Sequence, residues 1–477
     1  MRIFFPILLL TLTFLSCKKD NATNEGEIAY FGGEIINPVN KHLTLHKSKK
    51  LVDTIYLDKN NRFLYKIKNL EEGLYTFRLK AHNGNEFQLA LLEANDSVMI
   101  RLNTIDFDES LVFTGKGARK NNYLVNMFLD NEAISEKMLG ICQLEPKVFE
   151  TKIDSLREKR RQNLNNFISK NSYSDLFKEI ALGNINYNYY ISKEIYPFAF
   201  YGNNEVHNLQ SLPNDFYNYR KDINYNHDVL KDYFTYNTFL RYHFRNLALT
   251  EYLKHSKDSV FNRDSYKYYI EKLKLIDSLV KDEDIKNPLL SMSSINYINK
   301  TKDLSKIDKL LEVFYQKSTD EANIKHFKEL ASSLRALKIG NTIPNVTLVN
   351  YNNQEVTLHQ VIKKPTAIYF WSKSLKPHVK ESHLKVQDLK NKYPEVDFIS
   401  INIDKPNTEV NKLYLKQFNF NTVNEYQLKD ANAGKQALAV NPIIKVILIT
   451  KNGKIIDPHT NLFSVKFEEE LLGLLNQ

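Results

Sequence analysis

The sequence predicts a multidomain α+β protein with an antiparallel β-sandwich at the N-terminus, a helical middle region and an α/β domain at the C-terminus. Residues 27–117 contain short runs rich in Val, Ile, Leu, Tyr and Phe, separated by polar turn clusters. Residues 118–337 carry apolar side chains with the 3.6-residue period of helices. From residue 338 onward, strand-like apolar runs alternate with helical patterns. At 477 residues the chain also exceeds the usual size of one hydrophobic core.

The composition is that of an ordinary globular protein, with 42% hydrophobic and 26% charged residues. The formal net charge is +10, but nucleic-acid binding requires basic side chains to cluster on one face. The densest basic run, LREKRRQ at 156–162, lies in a helical pattern and is predicted to be a solvated helix face. The sequence therefore predicts no nucleic-acid partner, and no motif in it indicates a cofactor.

The N-terminal segment combines a positive charge, an apolar core and a cysteine. Arg2 precedes the run IFFPILLLTLTFL, which is too short to span a bilayer, and Leu-Ser-Cys follows. This order resembles a bacterial lipoprotein signal peptide over residues 1–16, although Phe14 replaces the leucine preferred three positions before the cysteine. The resemblance implies cleavage before Cys17, acylation of that residue and anchorage to a membrane.

A polar tether follows over residues 17–26. Lys18 stands where an aspartate would retain an enterobacterial lipoprotein in the inner membrane. The tether KKDNATNEG is similar to the charged export signal of Bacteroidetes surface lipoproteins. We therefore expect a lipid-anchored protein of the cell envelope at the outer membrane, with a periplasmic and a surface-facing location both open.

The β region, residues 27–117, contains runs such as GLYTFRLKA and LVFTGKG. Their spacing leaves no room for crossover helices, which favours an antiparallel sandwich. The order of runs also resembles a small domain of unknown function that precedes thioredoxin-like domains in Bacteroidetes lipoproteins. That resemblance implies a spacer or docking module.

The helical region, residues 118–337, has a clear amphipathic pattern. Residues 149–167 place an apolar stripe opposite charged positions. The stripe consists of Phe149, Ile153, Leu156, Leu164 and Phe167. Cys142 lies in an apolar context, and if Cys17 is acylated it has no partner for an intramolecular disulfide. We expect Cys142 to be a small buried hydrophobe.

The C-terminal region, residues 338–477, is predicted to be a sheet covered on both faces by helices. TAIYFW is a continuous apolar strand and VDFISINID a second one. HVKESHLKVQDLKNKY, NTEVNKLYLKQF and FEEELLGLL are predicted helices. NPIIKVILITKNGKIID reads as two strands joined by an Asn-Gly turn.

Four stretches of this region resemble the thioredoxin-like family, specifically the membrane-tethered (TlpA-type) thiol–disulfide oxidoreductases and alkyl hydroperoxide reductase relatives of bacterial envelopes. These stretches are IGNTIPNVTL, YFWSKSLKPHVKE, SINID and LAVNPIIKVILITKNGKII, and they span roughly the last 140 residues. The resemblance implies a thioredoxin-like fold and, by family default, dithiol chemistry at the turn within YFWSKSLKPHVKE.

This sequence departs from the family at the positions that carry the chemistry. Leu375 stands where the family has its nucleophilic cysteine, and His378 replaces the resolving cysteine. Pro442 matches the family's cis-proline, so the Asn441–Pro442 bond is expected to be cis. The resemblance further implies a binding groove formed by Trp371, Ser374, Lys376, Pro377, Glu381, Asn441 and Pro442.

Dithiol exchange needs a thiolate to attack and a second sulfur to resolve the mixed disulfide. Leu375 and His378 supply neither. The leading hypothesis is a redox-inactive domain that binds or scaffolds a protein or peptide of the envelope by strand addition. The alternatives are a thiol–disulfide oxidoreductase or thiol peroxidase, and metal binding through His378. His383 is too far around a regular helix from His378 to share a metal with it.

Overall fold

The computed structural model describes residues 27–48, 50–81, 84–202, 212–256 and 261–476. The predicted signal peptide, the acylation of Cys17 and the tether over residues 17–26 lie outside the described residues. The chain forms two compact units, Met1–Ile134 with Ile168–Ala181 and Ser135–Phe167 with Leu182–Gln477. The predicted boundary at residues 337 and 338 stays a prediction, because the second unit contains both sides of it.

The described residues of the β region form eight strands in two four-stranded sheets. The strands β1 to β8 are Ala29–Ile36, His42–Lys47, Lys50–Tyr56, Arg62–Ile67, Gly73–Ala81, Gly84–Leu92, Ser97–Asn103 and Val112–Lys116. The sheet orders are β4-β1-β7-β8 and β3-β2-β5-β6. Phe31 of the first sheet packs against Phe77 of the second with ring centroids 5.5 Å apart, so the two sheets share one core.

The prediction of a purely antiparallel sandwich is wrong at one pairing, because β1 and β7 run parallel. A parallel pair needs a long crossover, and here the strands β2 to β6 supply it in place of a helix. The strand β1 was not among the predicted runs, since two glycines interrupt AYFGGEII. Gly33 is required there: a Cβ atom on it would lie 2.1 Å from the carbonyl oxygen of Ile100 in β7.

Eight helices and a 3-10 helix follow within the described part of residues 118–337. Helices α1 to α8 are Ala118–Ile141, Pro146–Ile168, Asp175–Phe200, Phe234–His255, Tyr266–Leu279, Glu283–Ile298, Leu304–Lys317 and Glu321–Ala336, and the 3-10 helix is Asn218–Asp222. Aspartates 282, 303 and 320 begin α6, α7 and α8, where each side chain accepts a backbone N–H of the first turn. In α2, Phe149, Ile153 and Leu164 are buried as predicted.

A buried carboxylate organises the centre of the helical region. Glu194 of α3 is fully buried. Arg220 Nη2 and His243 Nδ1 each donate to it at 2.6 Å, and Tyr219 and Asn246 add further hydrogen bonds. Burial opposes ionisation, but the charges of Arg220 and His243 outweigh it and lower the pKa of Glu194 to about 2. The network ties α3, α4 and the 3-10 helix together.

The C-terminal region contains one seven-stranded sheet. Its elements in chain order are β9 Thr347–Asn350, β10 Glu355–Thr357, α9 Leu358–Val361, β11 Thr366–Trp371, α10 Lys376–Lys392, β12 Asp397–Asn402, α11 Thr408–Lys416, β13 Glu425–Leu428, α12 Ala431–Ala437, β14 Lys445–Ile449, β15 Ile455–Asn461 and α13 Phe467–Leu475. The sheet order is β10-β9-β13-β12-β11-β14-β15. Every residue of β11 and β14 is buried, as expected for central strands covered on both faces.

The strand order defines a thioredoxin-like domain. The central β11 pairs parallel with β12 and antiparallel with β14, and β14 forms a hairpin with β15. The predicted strands and helices are confirmed, but β13 and the short helices α9 and α12 were missed. The strand β13 was missed because two of its buried residues, Glu425 and Gln427, are polar and do not give the apolar pattern of a buried strand.

Among the helices that the structure describes, none combines the length and the apolar character needed to cross a membrane.

Replacing Glu194 by alanine should destabilise the protein by about 3–5 kcal/mol, because it leaves the Arg220 guanidinium buried without its carboxylate. Equilibrium denaturation of the whole protein measures the change. Glu251→Ala, which removes the partner of the more exposed Lys254 on α4, is the matched control and should change little. A loss below about 1 kcal/mol for Glu194→Ala would contradict the assigned role of the network.

Candidate functional site

The register of the central strands brings the turn after β11 and the loop before β14 to one edge of the sheet. Tyr369 of β11 pairs with Val446 of β14 in an antiparallel ladder. Residues 372–375 therefore leave the sheet where residues 440–444 enter it. The Asn441–Pro442 bond in this loop is cis, as predicted.

The turn is held by one carboxylate. Ser372 Oγ donates to Asp404 Oδ1 at 2.6 Å, and the backbone N–H of Lys373 donates to Asp404 Oδ2 at 2.9 Å. Ser374 shares a hydrogen bond with Ser372 at 2.8 Å. Asp404 follows β12, the parallel neighbour of β11, so its position comes directly from the sheet. The turn is thus preorganised without any sulfur atom.

A second layer of amides supports this turn. Lys373 Nζ donates to Asn411 Oδ1 at 2.6 Å. Asn411 in turn donates to Asn402 Oδ1 at 3.2 Å and to Gln427 Oε1 at 3.0 Å. The side chains of Asn411, Asn402 and Gln427 are fully buried, so each depends on the other two for its hydrogen bonds.

Most of the predicted groove residues lie at the surface. Leu375 is 44% exposed, and Ile444 beside the cis-proline is 41% exposed. The remaining exposed or half-buried positions are Ser374, Lys376, Pro377, Glu381, Asn441 and Pro442. The edge therefore presents apolar side chains from both the turn and the loop.

Trp371 is an exception, and its assignment to the groove surface is corrected by the structure. The side chain is fully buried. It stacks on Tyr414 with ring centroids 6.1 Å apart and meets His383 edge-on at 5.9 Å. As the last residue of β11, Trp371 points into the layer between the sheet and α10 and α11, so it supports the turn from below.

His378, which the resemblance places where the family has its resolving cysteine, makes a structural hydrogen bond. Its Nε2 donates to the carbonyl oxygen of Phe370 in β11 at 3.0 Å, and the side chain is half-buried. Because that nitrogen carries the proton, only Nδ1 is left as a metal ligand. Among the described residues, no group of three or more His, Cys, Asp and Glu side chains could hold a metal ion.

His383 belongs to a buried polar cluster one layer deeper. Its Nδ1 donates to the carbonyl of Val379 at 2.7 Å, and its Nε2 lies 3.2 Å from Glu425 Oε1. Burial, and then the nearby Glu425, raise the pKa of Tyr369 well above its ordinary value. The cluster is closed to solvent, so His383 cannot join His378 in a surface site.

A buried lysine positions the cis-proline loop. Lys445, three residues after Pro442, donates through Nζ to the carbonyls of Leu438 and Ala439 at 2.9 and 3.1 Å. These carbonyls end α12. Burial lowers the pKa of Lys445 to about 7, with Asp457 opposing the shift. A neutral amine has two N–H donors, and the two carbonyls take both.

A cavity of about 350 Å³ adjoins the loop. Leu330 and His326 of α8 line one side, and Ala439, Val440 and Asn441 line the other. The helical region thus contributes a wall beside the cis-proline loop, which the sequence did not predict.

Cys142 is fully buried, as predicted, among Phe149, Tyr196 and Phe216. Burial raises the pKa of its thiol to about 11. It has neither the exposure nor the acidity of a reactive cysteine.

No protein-family model matches this chain, and no curated protein matches it. Solved structures do. A candidate thiol-disulfide oxidoreductase from Bacteroides vulgatus is 20% identical, with 29% of this chain and 98% of that chain covered at a TM-score of 0.27. A candidate thiol:disulfide interchange protein DsbE from Chlorobium tepidum is 19% identical, with 29% and 98% covered at a TM-score of 0.25. The C-terminal domain of a candidate oxidoreductase from Bacteroides thetaiotaomicron is 20% identical, with 29% and 97% covered at 0.25. At these identities and TM-scores the similarities carry no argument about activity, and the fold assignment rests on strand order.

Two site residues were not predicted from the sequence, although the sequence contains an indication of each. Asp404 ends the run SINID, and the carboxyl end of a strand next to β11 is a usual place for site residues. Lys445 interrupts the apolar run PIIKVILI. A charge inside such a run indicates a buried amine with a specific partner.

The stabilising effect of Lys445 should increase with pH. Between about pH 7 and its ordinary pKa of 10.5, the unfolded chain binds a proton that the folded protein does not, so alkaline pH favours folding. The difference in unfolding free energy between wild type and Lys445→Met should grow by at most about 1.4 kcal/mol per pH unit in this window and level off below it. Lys451→Met, at the exposed β14–β15 turn, is the matched control. A flat profile for Lys445→Met would contradict the assignment of a neutral buried amine.

Cys142 should resist alkylation in the folded protein. A shift of the thiol pKa from 9.0 to about 11 leaves about 100-fold less thiolate at pH 8, and burial blocks access further. In a Cys17→Ser background, iodoacetamide labelling followed by mass spectrometry should be at least about 100-fold slower for the folded protein than for the protein in denaturant. Rapid labelling of the native protein would reopen a redox role for Cys142.

Proposed function

We propose that the thioredoxin-like domain is a redox-inactive binding module that holds an extended polypeptide of the cell envelope against the cis-proline loop. The observation that carries this proposal is an apolar, preorganised edge, formed by Leu375 and Ile444 around a cis-proline, at which no thiol is present. The edge keeps the shape of a recognition site while lacking the atoms for exchange.

Thiol chemistry is opposed on chemical grounds. Residues 338–477 contain no cysteine, and Cys142 is buried in another part of the second unit. Leu375 cannot form a mixed disulfide, and the imidazole of His378 is engaged with Phe370. The oxidoreductase and peroxidase alternatives therefore have no nucleophile at this site.

Main-chain pairing gives the mode of binding. Within the part of the chain that the structure describes, the carbonyl of Asn441 and the amide of Ile443 form no hydrogen bond. An extended segment that pairs with these groups would lie between Leu375 and Ile444, and strand addition of this kind binds the main chain while flanking pockets select side chains. The apolar flanks favour a segment with apolar residues, and the 350 Å³ cavity beside Asn441 provides room for one of them.

The cellular setting is part of the proposal. Acylation of Cys17 and outer-membrane anchorage would place the domain in the envelope, with the β-sandwich as a spacer or docking module. The support is the resemblance of residues 1–26 to a lipoprotein leader and export tether.

Changes at the apolar edge should weaken polypeptide binding at least tenfold. A library of extended peptides, screened by fluorescence anisotropy, supplies the ligand. Leu375→Asp and Ile444→Asp each place an unpaired charge where an apolar side chain should pack. Leu384→Asp is the matched control, because Leu384 has similar exposure on α10 outside the edge, and its affinity should match that of wild type. Equal affinities for all three variants would contradict the assigned groove.

Two assays test the rival functions directly. Insulin reduction and peroxide consumption should stay at background, and turnover that Cys142→Ser abolishes would overturn the redox-inactive assignment. Titration with Zn²⁺ should show no site that His378→Ala removes, and a specific loss in that variant would support metal binding instead.

A further inference from the structure

A second cavity, of about 380 Å³, lies between α7, α8 and β15, apart from the candidate groove. Five of its eleven lining residues are aliphatic, namely Leu304, Ile307, Leu334, Leu337 and Ile339. Its volume is at the lower end of the ~300–1,000 Å³ typical of small-molecule sites. The cavity therefore fits a compact apolar body.

One end of this cavity is polar and is organised by Asp457. Lys302 Nζ lies 2.5 Å from Asp457 Oδ2. The backbone N–H of His459 donates to Asp457 Oδ1 at 2.8 Å. Both Lys302 and His459 line the cavity, so the carboxylate of Asp457 holds the Lys302 ammonium and the backbone of residue 459 at its margin.

The imidazole of His459 is available to a ligand. Within the described residues its ring forms no hydrogen bond, and it lines the cavity. Burial, together with the charges of Lys445 and Lys302, lowers the pKa of His459 to about 4 against the opposing effect of Asp457. The ring is therefore neutral at pH 7 and has one N–H donor and one acceptor unused.

The charge around this end favours an anion. Lys302 and Lys338 line the cavity, and Lys302 is already paired with Asp457, which leaves the charge of Lys338 in excess among the lining side chains. Asp457 is the one carboxylate that faces His459 among the residues shown to interact with it. A bound negative charge would compensate the excess of cations.

We propose that this cavity binds a single-chain amphiphile with a carboxylate head, the chain among the leucines of α7 and α8 and the carboxylate at Lys302 and His459. The small volume selects one short chain over a two-chain membrane lipid. This site is separate from the polypeptide groove, so the two proposals are tested independently of each other.

Sodium decanoate, used below its micellar concentration, is the test ligand. Isothermal titration calorimetry on the chain from residue 17, with Cys17→Ser, should show one site. Decanol, with the same chain and no charge, should bind at least tenfold more weakly. Decanoate should also move the histidine ring resonances of His459 and raise its pKa, because the carboxylate favours the imidazolium. Absence of a saturable site would overturn the proposal, and equal affinity for decanol would overturn its carboxylate head.

Two variants and a control locate the binding. Lys302→Gln removes the cation, and Leu334→Trp fills the apolar end, so each should weaken decanoate binding at least tenfold. Lys300→Gln, two residues away and paired with Asp264, should bind as wild type does. Circular dichroism confirms that each variant is folded. Wild-type affinity in both cavity variants would place the binding elsewhere and overturn the proposal.

Lipid vesicles separate the two sources of an acyl chain. Phosphatidylglycerol vesicles should not displace decanoate, because two chains exceed the cavity. Displacement of decanoate by the vesicles would show that a membrane lipid occupies the site and would overturn the single-chain assignment.

Discussion

The antiparallel pairing of β11 with β14 is the constraint on which the candidate site depends. With Tyr369 opposite Val446, the turn that leaves β11 and the cis-proline loop that enters β14 must lie at the same edge of the sheet. Asp404, at the end of the parallel neighbour β12, then reaches the turn and holds it through Ser372 and Lys373. Lys445 holds the loop through the end of α12. The position of the site therefore follows from the backbone register, and the exposed side chains determine which ligand it selects.

Leu375 and His378 occupy the two positions at which the resemblance implies cysteines. His378 satisfies the carbonyl of Phe370 at the end of β11, a role that a cysteine could fill only weakly. Leu375 exposes an aliphatic side chain instead of a sulfur atom. Each replacement is consistent with a site that retains its shape and depends on contact rather than exchange.

The long helices and strands could be predicted from the sequence, because the spacing of their apolar residues reflects whether one or both faces of the element are buried. The exceptions have physical causes. The strand β13 is short, and its buried Glu425 and Gln427 reverse the expected pattern. The parallel pairing of β1 with β7 depends on contacts distant in sequence.

At the site, motif position located Leu375, His378 and the cis bond, but it misplaced Trp371, because a motif gives the position of a residue in the chain and not its depth. Asp404 and Lys445 act through tertiary hydrogen bonds that no local pattern encodes.

The central claim is that the apolar edge contacts a polypeptide without exchanging thiols. Site-specific photocrosslinking in the native envelope tests it most directly, with a photoreactive residue in place of Leu375 and, as the control, in place of Leu384. We expect a discrete crosslinked polypeptide from position 375 that survives reducing agent and is absent from position 384. The same crosslinks from both positions, or a partner that is attached without irradiation and released by reductant, would contradict the account.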